Sequence, residues 1–425
     1  MPNCVFKLRH ASWLDSLTRP LFLQFPMLFD TLRYHWTLWK WKRRAHKRQR
    51  PHIKIGNLAD FFRQINEAGV EYVVLRWFDS LPLAQADEKK YVLQGGDVDL
   101  MADAGGLLEI CRAVSNHPGK IKLDLHSNRL VLGTDINRFT YYPPVLCKEL
   151  LDTRVLSPEG YYRPDDRHYL YSLAYHFCYH KGLASGLPSG FDDLPRQNKE
   201  SDRHDPEGTL RHLASVVGET LPEPFDMFQL HLWLKQRGWN MPLDLLLRWP
   251  EPHPLLKNLY HYEAQRLRQD LGGRQNLCVY LLREDAIQAN ATEAILEELR
   301  TRYRILDIVS FTPEQQNRVI RRTRGGNWTK RKQLRLFLPE MAIVCQALVP
   351  FTPVDDEGVQ QHDVKIINPD IQFKHELRRK LIAKFPDADE FVHGSDNDVE
   401  SMEYIEAIYG DDGWREKWAV FFPES

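Results

Sequence analysis

The alternation of two apolar periods over residues 275–349 constrains this chain more than any other feature. QNLCVYLLRED (275–285) is a short apolar run with polar ends, and ATEAILEELRTRY (291–303) places its apolar residues at helical spacing. RILDIVSFT (304–312) reads as a strand, PEQQNRVIRRT (313–323) as a helix and MAIVCQALV (341–349) as a third strand. Strands and helices alternating over about 75 residues must cover a sheet with helices, so an α+β sandwich is expected here. The whole chain has 425 residues, more than one compact core holds. Breaks are expected near residue 50 and at Leu271-Gly272-Gly273, giving a basic segment (1–50), a first module (51–271) and a second (272–425).

Charge separates the segment at 1–50 from the rest. It carries eleven Lys/Arg against Asp15 and Asp30, a net +9, so the remainder must sum to −10 to give the overall −1. LFLQFPMLFDTLRYHWTLWKW (21–41) is interrupted by Asp30, Arg33 and His35, which argues against a spanning helix. Aromatic residues beside the run KRRAHKRQR are what a helix lying at an anionic membrane surface needs, and equally fit a helix packed on the protein's own body. Without a recognisable nucleic-acid module, nucleic acid is not the expected partner. Six cysteines without a C-x-x-C pair, and no signal peptide, point to a reducing, cytoplasmic location, with peripheral membrane attachment through 1–50 as an option. G-x-x-x-x-G-K-[ST] is absent, which removes the commonest ATPase reading.

In the first module NLADFFRQINEAGV reads as a helix and EYVVLRW as a buried strand. YVLQGGDVDLMAD reads as a strand with Asp97 and Asp99 on one face, positioned to hold a magnesium ion, and Asp124 sits in the next strand, IKLDLHS. Three carboxylates on adjacent strands suit metal-assisted nucleotidyl transfer. The pattern Leu75-Arg76, Leu81-Pro82, Asp97-Val98-Asp99-Leu100 resembles the nucleotidyltransferase-like domains of bacterial surface-polysaccharide gene clusters over about residues 55–185. That resemblance implies a mixed sheet with a helical extension, a metal on Asp97 and Asp99, and a catalytic Asp124. It departs at the phosphate-binding Gly-Gly/Ser turn, where Arg76 and Trp77 stand instead, which leaves two readings: Arg76 replaces the backbone amides as a phosphate contact, or the domain has lost catalysis. HYLYSLAYHFCYHKG (168–182) reads as a helix with His176 and His180 one turn apart, a zinc-compatible spacing without an evident third ligand. Residues 183–208 read as an exposed loop.

Near the C-terminus His393-Gly394-Ser395-Asp396 precedes a helical pattern. With Arg283-Glu284-Asp285-Ala286 after the first strand and Asn368-Pro369 ten residues before Arg378, the order closely resembles nucleoside diphosphate kinase over about 276–412. The resemblance implies a ferredoxin-like sandwich in which His393 carries a phosphoryl group. Arg378 and Arg283 would neutralise it, Asn368 and Lys374 would contribute to nucleotide binding, and Ser395 with Glu403 or Glu406 would orient the ring. Arg283 stands where the family has lysine, Glu390 where it has a sugar-contacting asparagine, and Gln361 near an expected arginine that Lys365 or Lys374 can replace.

These readings combine into a magnesium-dependent phosphotransferase using ATP or another NTP, with an unidentified small-molecule or glycoconjugate acceptor. Two alternatives stay open: an inactive nucleotide sensor or scaffold, and a nucleotidyltransferase acting on RNA or protein.

Overall fold

The computed structural model describes residues 26–47, 50–131, 133–195, 205–330, 335–350, 369–385 and 390–423. It is a mixed α/β protein that divides into two compact units. Unit 1 holds the described residues of Met1–His126, Val131–Thr134 and Leu156–Arg163, and unit 2 those of Ser127–Leu130, Asp135–Val155 and Pro164–Ser425. The helices that the sequence reading attached to the first module therefore fall in unit 2.

Unit 1 opens with helix α1 (Pro26–His46), followed by β1 (Ile53–Ile55) and α2 (Leu58–Glu67). Asn57 caps α2 by accepting from the Asp60 amide, and Leu58, Phe61, Phe62 and Ile65 form its buried stripe at i, i+3, i+4 and i+7. Strand β2 (Tyr72–Val74), β3 (Asp97–Ala102), α3 (Leu107–Asn116) and β4 (Ile121–Ser127) follow. The sheet order is β1-β4-β3-β2, so the two carboxylate-bearing strands are neighbours. Tyr91–Leu93, read as the start of a strand, instead end a short helix over Glu88–Leu93, and the Tyr91 hydroxyl donates to the Asp97 carbonyl at 2.6 Å. The Gly95-Gly96 turn separates helix from strand, and at Gly96 a β-carbon would lie 2.5 Å from the Tyr91 ring.

Unit 2 begins with α4 (Pro144–Asp152), α5 (Asp166–Tyr175), α6 (Pro206–Val217), α7 (Met227–Gln236), α8 (Leu243–Arg248) and α9 (Pro254–Leu271). Residues 183–189 differ from the exposed loop expected. Leu183, Ser185, Leu187 and Ser189 are buried, because Pro188 and Ser189 offer carbonyls to the first turn of α7.

The second sheet follows as β5 (Leu277–Arg283), α10 (Thr292–Arg300), β6 (Tyr303–Ser310), α11 (Pro313–Arg322), β7 (Pro339–Ala347), α12 (Pro369–Lys384) and β8 (Val392–Gly394). Helices α13 (Asp398–Tyr409) and α14 (Gly413–Phe421) complete the unit. Its order is β8-β5-β7-β6, with every neighbouring pair antiparallel. Each residue of β5 is buried, which explains its unbroken apolar run. Cys278, Tyr280 and Leu282 face a core with Ile295, Leu299, Phe373 and Leu377 from α10 and α12. The intervening residues Val279, Leu281 and Arg283 take the opposite face by strand alternation. Against the outer side of α13, Arg322 pairs with Glu403 and Glu406 at 2.7 Å each, and Arg266 of α9 grips Glu406 at 2.6 and 2.9 Å. The five described cysteines, Cys111, Cys147, Cys178, Cys278 and Cys345, are buried.

Candidate active site

His393 sits at the middle of β8, directly opposite Leu281 in the antiparallel pairing with β5, and shares that residue's face of the sheet. Strand β8 is an edge, and its outward carbonyls would be bare if α12 did not cover them. Lys374 donates to the Gly394 carbonyl at 3.0 Å, and Arg378 donates to the Val392 carbonyl from Nε at 3.2 Å and Nη2 at 2.9 Å. These two cations, one helical turn apart, therefore flank His393 in the chain and fix its backbone. Lys374 also pairs with Asp396.

The imidazole is half-buried, edge-on to Trp328 with ring centroids 5.8 Å apart. Its Nε2 lies 2.8 Å from the Tyr404 hydroxyl, which donates to Glu400 Oε1 at 2.9 Å. When Glu400 is ionised and accepts the Tyr404 proton, the Tyr404 oxygen accepts from His393 Nε2–H. The tautomer so selected leaves Nδ1 with its lone pair, and Nδ1 has no hydrogen-bond partner among the described residues. Burial, then Lys374, Arg378, Arg283 and Arg248, holds the ring far below the usual histidine range, so it stays neutral. Glu400 moves the other way. Burial, then Asp396 and Asp244, pushes it up to about 8 against the pull of Arg248 and Lys374.

A second group of cations gathers at Trp328. Arg283 and Arg324 lie over its ring at 5.5 and 5.7 Å from the centroid. Arg283 Nη1 donates to Glu390 at 3.2 Å, and Arg324 Nη2 is 4.0 Å from the same carboxylate oxygen. Glu390 is thus a counter-ion to these arginines. Arg283 Nε, Arg324 Nη1 and Trp328 Nε1 are buried without a hydrogen-bond partner among the described residues. Three orphaned donors around one indole are costly unless an acceptor joins them. Arg324 holds left-handed backbone (φ 54°), continued by Gly325 and Gly326, and the Gly325 amide is held by Asp244 at 2.8 Å.

Several expected roles change. Ser395 does not reach the ring: its hydroxyl receives the Val279 amide at 2.9 Å and lies 2.8 Å from Ser401, so it pins α13 to β5. Glu403 and Glu406 are engaged by Arg322. Burial alone would raise Glu403, and Arg322 reverses that into a lowered value. The acid behind the histidine is Glu400, acting through Tyr404. Their i, i+4 spacing on the helix after H-G-S-D was a readable signal for this pair, as the Arg-Gly-Gly at 324–326 was for a special turn. Asn368, Gln361 and Lys365 lie outside the described residues.

In unit 1 the three carboxylates do converge, and cations already hold them. Asp99, 5% exposed, is paired with Arg76 at 2.7 Å. Lys122 bridges Asp124 at 2.7 Å and Asp97 at 3.4 Å. Burial pushes Asp99 up to about 6, with Arg76 opposing and Asp97 and Asp124 adding to the rise. This set does not fit a magnesium ion as it stands, since Arg76 and Lys122 supply the positive charge. Among the described residues no group of three His, Cys, Asp or Glu side chains is arranged to hold a metal. His176 is likewise committed, with Nδ1 2.7 Å from the Tyr141 hydroxyl, and His180 lies in a box of Tyr141, Tyr175 and Trp249.

Comparison of the chain with protein-family models, curated proteins and solved structures finds no match.

Proposed function

We propose that unit 2 is a phosphotransferase in which His393 carries the phosphoryl group between a nucleoside triphosphate and an acceptor. The carrying observation is the chain of contacts from His393 Nε2 through Tyr404 to Glu400: with Glu400 ionised it leaves the lone pair on Nδ1, on a ring held neutral by burial and four surrounding cations. In this reading Nδ1 attacks the γ-phosphorus and the bond to the bridging oxygen breaks. The nucleoside diphosphate leaves with that electron pair. An anionic oxygen of the acceptor then attacks phosphorus, and the N–P electrons return to Nδ1. Tyr404 and Glu400 hold the Nε2 proton throughout. Arg378, Arg283, Arg324 and Lys374 supply the positive field for the transferring group. Magnesium enters with the nucleotide as part of the substrate.

The order β8-β5-β7-β6, with helices between the strands, supports the ferredoxin-like sandwich of the kinase likeness. For unit 1 the pairing of Asp99 with Arg76 and of Asp97 and Asp124 with Lys122 counts against metal-assisted nucleotidyl transfer, and acceptor binding is the role proposed for it. A surface-glycoconjugate acceptor follows only from the sequence likeness of that module.

Purified protein and His393→Ala incubated with γ- and α-labelled ATP and GTP would test the reading. A γ-label that is acid-labile, base-stable and missing from the variant is expected. An α-label requiring Asp97 and Asp99 would move the chemistry to unit 1. Nucleotide binding with no label would favour a sensor.

A further inference from the structure

Unit 1 contains a cavity of about 730 Å³ between α1 and the start of β1, lined also by Val114, Ser115 and Pro118 around the end of α3. Among its described lining residues six are Lys or Arg (Arg33, Lys40, Arg43, Arg44, Lys47 and Lys54), three are tryptophans, and none is acidic. Concentrating that much charge of one sign in a concavity is unfavourable in isolation, because the walls exclude part of the solvent that would screen it. Internal acids do not relieve it: Lys40, Arg43, Arg44, Lys47 and Lys54 have no carboxylate partner among the described residues. Two bonds from the wall go to backbone carbonyls. Arg44 Nε donates to the Arg50 carbonyl at 2.8 Å and Arg33 Nη1 to the Ser115 carbonyl at 3.3 Å.

The outer rim of the same helix is apolar and aromatic. Leu32, Trp36 and Trp39 are 59%, 51% and 47% exposed. Trp36 and Trp39 stack at 5.0 Å between centroids, with Lys40 and Arg43 over their rings at 5.0 and 5.2 Å. Helix α1 is not long and apolar enough to cross a membrane, as is true of every described helix. A basic concavity rimmed by exposed indoles on a non-spanning helix matches one environment in both its parts: phosphate groups for the cations and the headgroup–acyl boundary for the tryptophans. A soluble polyanion would satisfy the cations and leave Leu32 and the tryptophans in water.

We infer that this cavity receives the phosphate headgroups of an anionic lipid surface, with Leu32, Trp36 and Trp39 entering the interface. The inference is independent of the chemistry at His393.

The full chain is to be co-sedimented with phosphatidylcholine vesicles and with phosphatidylcholine–phosphatidylglycerol vesicles, alongside Lys40→Glu/Arg43→Glu and Trp36→Ser/Trp39→Ser. These positions are exposed, and circular dichroism checks that each variant is folded. Binding to the anionic vesicles alone is expected, weakened at least about tenfold by the charge reversals and reduced by the Trp changes, since each cation near such a surface contributes about fivefold. Equal binding to both vesicle types, or no loss in the charge variant, overturns the inference. So does tighter binding to single-stranded RNA than to vesicles at the same salt, which would assign the cavity to nucleic acid. Displacement from vesicles by millimolar inorganic pyrophosphate, with the tryptophan variant unaffected, would assign it to a free phosphorylated ligand.

Discussion

At the scale of single residues, the site turns on which nitrogen of His393 is engaged. Tyr404 has a poorly acidic, buried hydroxyl, and burial followed by the Glu400 charge raises it further, so it stays protonated and can only pass orientation along the chain of bonds. Removing that hydroxyl by Tyr404→Phe is expected to slow labelling of His393 by about a hundredfold while leaving nucleotide affinity unchanged, a split that single-turnover kinetics measures. Glu400 makes the step pH-dependent. Its value of about 8 means that ionisation strengthens the pull on the Tyr404 proton as pH rises through 8. Labelling should therefore increase through that pH, with no step where an ordinary histidine titrates, and Glu400→Gln should abolish the rise. Stability has the opposite sign. Unfolded Glu400 releases its proton near its ordinary 4.5, whereas the folded group keeps it to about 8, so the contribution is present below 4.5 and lost as pH rises through 8. Urea unfolding of the wild type across that range should show the loss, and the glutamine variant should not.

At the scale of elements, each site is held by an edge or a turn that leaves little room. Helix α12 secures β8 through Lys374 and Arg378, and the sequence displays that only as two basic residues a turn apart. In unit 1 the chain before α2 passes very close to the chain before β4. A β-carbon at Gly119 would meet the Gly56 amide nitrogen and the Ile55 carbonyl at 2.3 Å, and Ile55 forms a bridge with Pro118 there. Both obstacles are backbone, which cannot rotate away. Gly119→Ala should destabilise the protein by about 1–3 kcal/mol, as overpacking does, read as a lowered urea midpoint with an unchanged slope. A reduction in the slope would mean that the β1–β4 pairing had already opened in the native state.

At the scale of the whole molecule, residues 272–425 are not a free-standing block. Glu403 and Glu406 of α13 are buried, and their charges are met by Arg322 from α11 and Arg266 from α9, the second of which lies before residue 272. A buried ion network is costly to break on one side only. A fragment of residues 272–425 loses the Arg266 fork and uncovers the α13 face that α9 packs. It should unfold at lower urea than the complete chain and bind a hydrophobic dye, whereas a fragment with the same midpoint would show the α9 contact to be dispensable.

The separation between sequence and tertiary structure follows the range of each force. Local periodicity placed β5, α10, β6, α11, β7 and α13 within a few residues, and strand alternation put Asp97 and Asp99 on one side, because side-chain direction is a property of the backbone alone. His393 could be singled out from its immediate neighbours and their order. Which acid stood behind it could not: Glu400, Glu403 and Glu406 share one helix, and only the packing of Arg322 and Arg266 against its outer face sends two of them away from the histidine. Charge pairing decided unit 1 in the same way. Three carboxylates read as a metal site until Arg76 and Lys122, distant in sequence from most of them, come within ion-pair reach. Composition by itself determined where charge accumulates along the chain. Tertiary structure decided which charges are neutralised, because a Coulomb interaction depends on distances that the order of residues does not specify.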